Sequence, residues 1–152
     1  MRVPAIVIAL VVCSVSAQQK PAYLMDGLGT LHHPVSTQNA EAQKFFDQGL
    51  RLVYAFNHEE AARSFHRAAE LDSRLAMAWW GVALAVGPNY NLPVDPDREK
   101  LAAEAIEKAH ALAASATPIE QAYIDSMSKR FSGDSKPDYH QLDINYSKAM
   151  AE

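Results

Sequence analysis

Cysteine is all but missing from this chain: Cys13 is the only one among 152 residues. It falls inside an apolar leader, so the mature chain holds none. That excludes disulfides, thiolate metal sites, cysteine nucleophiles and the c-type haem signature. Clusters of positive charge are missing too. Lys and Arg number 14 against 18 Asp and Glu, for a net charge of −4, and without a basic patch there is no electrostatic footprint for nucleic acid. No run beyond the leader approaches the roughly 20 apolar residues of a membrane span. Sustained alternation of apolar and polar residues, the mark of a half-buried strand, is absent as well.

What the chain does have begins with Met1-Arg2, an apolar run over 3–12 and the small residues Ser14-Val15-Ser16-Ala17. This is the three-part layout of a secretory signal peptide, with cleavage expected after Ala17. Lipidation at Cys13 is disfavoured because Val12 precedes it where Gly, Ala or Ser is usual. The mature product is therefore expected to be exported, to the periplasm or the extracellular side. Its length, 152 − 17 = 135 residues, suits one domain whose stability comes from packing alone. An extended segment over 18–38 is expected to precede the helical part, which runs over 39–152.

From position 39 onward apolar residues recur at helical spacing. The pattern predicts helices over 39–56, 57–73, 74–86, 96–114 and 118–131, and a sixth after Pro137. Asn57-His58-Glu59-Glu60 reads as a variant capping box, Asp95-Pro96 as a cap followed by a first-turn proline, and Thr117-Pro118-Ile119-Glu120 as a full box. The third helix is apolar nearly all round and is expected to be the most buried. Two prolines and several turn formers over 87–93 break the chain, and Gly133 is expected to end the fifth helix.

Paired helices with short connectors invite a test for a fixed period. Phe45 and Trp79 stand 34 residues apart, each followed four residues later by a small residue, Gly49 and Ala83. Ala61, Phe65 and Ala68 have counterparts in Ala102, Ile106 and Ala109, displaced by 41 because of the 87–93 loop. With these residues the chain resembles the tetratricopeptide repeat family. Gln48 departs from its pattern where an aliphatic is usual, and Ser73 where proline is usual. A third repeat, from Glu120, Tyr123 and Met127 to Leu142, Tyr146 and Ala149, is degenerate. More narrowly, Leu31-His32-His33-Pro34-Val35-Ser36-Thr37, the stretch from Phe56 to Ala61 and Ala76-Met77-Ala78-Trp79-Trp80-Gly81 resemble a group of exported bacterial tetratricopeptide proteins. The resemblance implies an all-α solenoid of antiparallel hairpins, about six helices in all, forming the start of a longer array.

In such solenoids the first helix of each pair lines a concave face that binds an extended peptide or a partner helix. Carried over, that face is Gln43, Phe46, Leu50 and Val53, then Met77, Trp80 and Leu84. It is nearly all apolar, so either a protein or peptide partner covers it, or the 23–35 segment or further C-terminal structure of a longer array folds across it. Asn89, Tyr90 and Asn91 in the inserted loop are further partner-binding candidates, although turn chemistry alone explains the asparagines.

Histidine offers a second reading. His32, His33 and His58 are candidate ligands for a divalent metal, in a binding protein or a metal-dependent hydrolase. Adjacent histidines in an extended segment point opposite ways, and hydrogen bonds that pin the segment to the helices account for them better. No cofactor is required by any motif, and no catalytic set stands out. Ser64 with His66, or Ser36 with His33, is mere sequence proximity, and the carboxylates of Glu59-Glu60 and Asp95-Asp97 suit helix starts. A third reading is a purely structural module of a larger protein. An exported binding scaffold is the leading expectation, and an enzyme the lesser one.

Overall fold

The computed structural model describes residues 21–89, 91, 95–132 and 136–152. The expected leader over 1–17, positions 18–20, Tyr90, positions 92–94 and Gly133 lie outside the described residues. Among those described, the chain forms six α-helices and one 3-10 turn, with no β-strand, so the fold is all-α. No helix among them is long and apolar enough to cross a membrane.

Helix α1 (Ala40–Tyr54) starts where the Asn39 side chain accepts the N–H groups of Glu41 and Ala42. It stops two residues before the expected end. Phe56 turns left-handed at φ 59°, its N–H donating to Val53 O (3.0 Å) while Asn57 N–H donates to Leu52 O (2.9 Å). These crossed bonds close a helix through a position that glycine usually holds. A phenylalanine there carries the steric penalty of the left-handed region, so Phe56→Gly is expected to raise stability by about 0.5–1 kcal/mol, read as a higher urea midpoint.

Helix α2 (His58–Leu71) is capped by Asn57, which accepts Glu60 N–H at 3.4 Å. The return half of the expected box is missing because Glu60 bonds Arg63 one turn on (Nε, 3.0 Å). Helix α3 (Ala76–Val86) begins two residues later than expected and has seven of its 11 residues buried. No other helix reaches that fraction, in line with its all-round apolar sequence. Helix α4 (Pro96–Leu112) has Asp95 as cap and runs into the 3-10 turn Ala113–Ser115. Helix α5 (Pro118–Ser128) carries the complete Thr117/Glu120 box and ends three residues short of the expected Phe131. Helix α6 (Tyr139–Ala149) is capped by Asp138.

Each helix packs on the next, and the odd-numbered ones also touch, α1 on α3 and α3 on α5. The first two pairs are antiparallel. Asn39 Nδ2, at the start of α1, donates to Leu71 O at the end of α2 (3.0 Å). Ser115 Oγ, just past α4, donates to Arg74 O just before α3 (2.8 Å). The pairs are keyed together by Phe65 of α2, which is fully buried. Its ring fills the space that glycine leaves on both neighbours: a Cβ on Gly49 of α1 would stand 2.6 Å from the ring, and one on Gly81 of α3 would collide as well. The pair α5–α6 differs. No residue of α6 is buried, and Ser126 Oγ near the end of α5 meets Ala149 O at the end of α6 (3.0 Å).

Candidate functional site

The face shared by α1, α3 and α5 is where the expected groove residues fall, and residues 21–38 lie across its α1 part as a strap. Met25, Leu28 and Val35 of the strap pack on the core. Its backbone is held by a polar row at i, i+4, i+5 and i+8 along α1: Gln43, Asp47, Gln48 and Arg51. Gln43 accepts Val35 N–H (3.0 Å) and donates to His33 O (2.9 Å). Gln48 accepts Met25 N–H (2.8 Å) and donates to Tyr23 O (2.9 Å) and to Ser64 Oγ (3.0 Å). Each amide thus reads one N–H and one C=O of extended chain. Asp47 accepts His33 N–H at 3.0 Å and His32 Nδ1–H at 2.7 Å, and Arg51 Nε donates to Leu31 O at 2.9 Å.

The strap's far end is fastened to α5. Glu120, 4% exposed, accepts Ser36 N–H (2.7 Å), Thr117 N–H (2.7 Å), Thr117 Oγ1–H (2.9 Å) and the Ser36 hydroxyl. Burial alone pushes this carboxyl upward, but the four hydrogen bonds from Ser36 and Thr117 outweigh it and hold the group below its ordinary value.

With the strap in place the expected stripe is not bare. Phe46, Leu50 and Met77 are interior, at 0, 7 and 1% exposed. Phe46 packs on Phe65 with centroids 5.4 Å apart and on the His33 ring at 6.1 Å. Gln43, Val53, Trp80 and Leu84 are half-buried. The reason is the strap together with the close approach of α1, α2 and α3. What stays accessible is an aromatic run: the His33 ring meets Tyr123 at 6.4 Å, and Tyr123 meets Trp80 at 5.8 Å. The Trp80 indole N–H is enclosed and has no hydrogen-bond partner. In the inserted loop, Asn89 Oδ1 accepts Asn91 N–H (3.0 Å), which is turn chemistry, and Arg130 donates to Pro88 O (2.6 Å). Asn89 is half-buried and Asn91 exposed.

The three candidate metal ligands are not brought together. His32 turns outward with its Nδ1 on Asp47, and His33 turns inward onto Phe46 and Tyr123. His58 sits at the start of α2 beside the Phe56 ring (6.2 Å). Among the described residues no group of three or more His, Cys, Asp or Glu side chains is placed to hold a metal ion.

Asp47, Gln48, Arg51, Ser36, Glu120 and Tyr123 were not expected as site residues. A usable signal existed for one: Gln48 breaks the aliphatic pattern on the buried side of α1, and a buried amide needs partners. Comparison of the chain with family models, with curated proteins and with solved structures gives no match.

Proposed function

We propose that the chain is an exported tetratricopeptide-like scaffold that takes a protein or peptide partner in extended form along the face of α1, α3 and α5. One observation carries the reading. The α1 part of this face already holds an extended segment, and it does so through side chains that bond the segment's backbone, a mode indifferent to the guest's own sequence. The aromatic run of Tyr123 and Trp80 continues the same face beyond the strap, with an enclosed indole N–H that lacks an acceptor. Aromatic anchors with one polar end are typical centres of peptide-binding energy. The two antiparallel pairs keyed by Phe65 favour the repeat family over an unrelated helical bundle.

Selection of extended peptides from a random displayed library on the mature chain, followed by titration, tests this. The expected outcome is at least a tenfold rise in Kd in Trp80→Ala and no change in Trp79→Ala. Trp79 packs away from this face, against His66 at 5.4 Å and under the Lys108 ammonium at 4.4 Å. Failure to enrich any peptide, or equal binding by Trp80→Ala, overturns the reading.

A further inference from the structure

A second recess lies between α2, the end of α3 and the start of α4, about 280 Å3 in volume. Its walls bring His58, Arg63 and His66 of α2 opposite Arg98 of α4, over a floor that includes Ala62 and Ala85. None of these residues is used by the strap or the aromatic run.

Two observations single it out. Both ring nitrogens of His58 are enclosed and lack a hydrogen-bond partner. In either tautomer one of them is a buried N–H with no acceptor, a state that native structures rarely leave uncompensated. The second is Arg98. Arg63 gives its guanidinium to Glu60. Among the described residues Arg98 forms no ion pair, and the one hydrogen bond of its guanidinium is a long one to Ala85 O at 3.4 Å. A half-buried guanidinium without a carboxylate, beside an imidazole N–H without an acceptor, leaves donors in want of oxygen atoms that carry negative charge.

We propose that this recess is a binding site for a small oxyanion, a carboxylate or phosphate group, held by Arg98 and His58 with His66 on the wall. The volume suits a compact ligand and is below the usual range for a nucleotide or a larger cofactor. Burial lowers the His58 pKa first, and the Arg98 charge lowers it further. Burial also lowers that of His66, with Lys108 adding to it and Glu70 opposing it. Facing the two imidazoles, then, are the cations Arg63, Arg98 and Lys108 and the carboxylates Glu59 and Glu70, while α3 contributes only apolar side chains. With Arg63 paired to Glu60, charges of the two signs balance around the recess, and it is the unpaired Arg98 guanidinium that favours an anion over a metal cation.

An anion seated there favours the charged imidazoles, so binding raises the His58 and His66 pKa values and affinity rises as pH falls through their titration. The test follows the imidazole Cε1–H resonances of the mature protein by NMR while inorganic phosphate or, separately, acetate is added at constant ionic strength. Saturable movement of the His58 and His66 signals is expected, with Kd raised at least tenfold in Arg98→Gln and unchanged in Arg74→Gln, whose side chain lies outside the recess. Response to phosphate alone assigns a phosphoryl group, and response to both ions a carboxylate-sized site. Absence of saturable movement with either ion overturns the proposal, and so does undiminished binding in Arg98→Gln. His58→Gln provides a second variant should Arg98→Gln unfold. Neither readout depends on a peptide, so this site and the peptide face stand or fall separately.

Discussion

Phe65→Ala is expected to lower stability by about 3–5 kcal/mol, seen as a large drop in the urea midpoint. The ring is fully buried, and its atoms lie nearest to both flanking helices where they lack a Cβ, at Gly49 and Gly81. Removing it leaves a cavity that neither glycine can fill. The arrangement makes a sharper forecast through coupling. Gly49→Ala alone drives a methyl to within 2.6–2.7 Å of three ring carbons, so α1 and α2 must separate and stability falls. In the Phe65→Ala background the same methyl meets empty space, and the gain in helix propensity of about 1 kcal/mol becomes visible. The double-mutant cycle should therefore show a change of sign for Gly49→Ala, far from additivity.

Glu120→Ala should cost about 3–5 kcal/mol, because it removes hydrogen bonds from four donors to a buried charged acceptor and dissolves the α5 capping box. Ser36 loses its partner, so the strap should become the first site cut in limited proteolysis. Acid provides an independent check. The folded-state pKa of Glu120 is held below its unfolded value. Its contribution is therefore fully present above the unfolded value, about 4.3, and is lost as pH falls through the lower folded value. A plot of stability against pH should have a shallower acid limb in Glu120→Ala than in the parent chain. An unchanged limb would mean that the Ser36 and Thr117 bonds do not discriminate between the charged and neutral carboxyl.

Most of the helices were legible in the sequence because their signals are local. Asn57, Asp95 and Thr117 each cap where a cap was expected, since a short polar side chain before an apolar period has few other uses. Misplaced ends have local causes as well. Phe56 closes α1 in a conformation its residue type disfavours, which no propensity rule anticipates. The site was far less legible. Its residues are joined by contacts such as Ser36 to Glu120, and nothing in the pattern around either residue points to the other. Glu120 had a complete local explanation as half of a capping box, and that explanation hid its second role. Gln48 was visible as an anomaly, but the partners that explain it, Tyr23 and Met25, lie in a segment with no period to read. His32, His33 and His58 share a residue type without sharing a place, so composition raised a metal reading that their positions do not assemble.

The strap's fastening also sets an order in time. Ser36 and Glu120 are separated by 84 positions, whereas the residues that grip the strap along α1 follow it within about two dozen. As the chain is made from its N-terminus at roughly 5–20 residues per second, the strap meets α1 early and its final anchor seconds later. During that interval its hold rests on the α1 row of Gln43, Asp47, Gln48 and Arg51, on the Thr37 hydroxyl's bond to Asp72 and on its apolar packing, without the α5 anchor, and the face beneath is open to any other extended chain that arrives first.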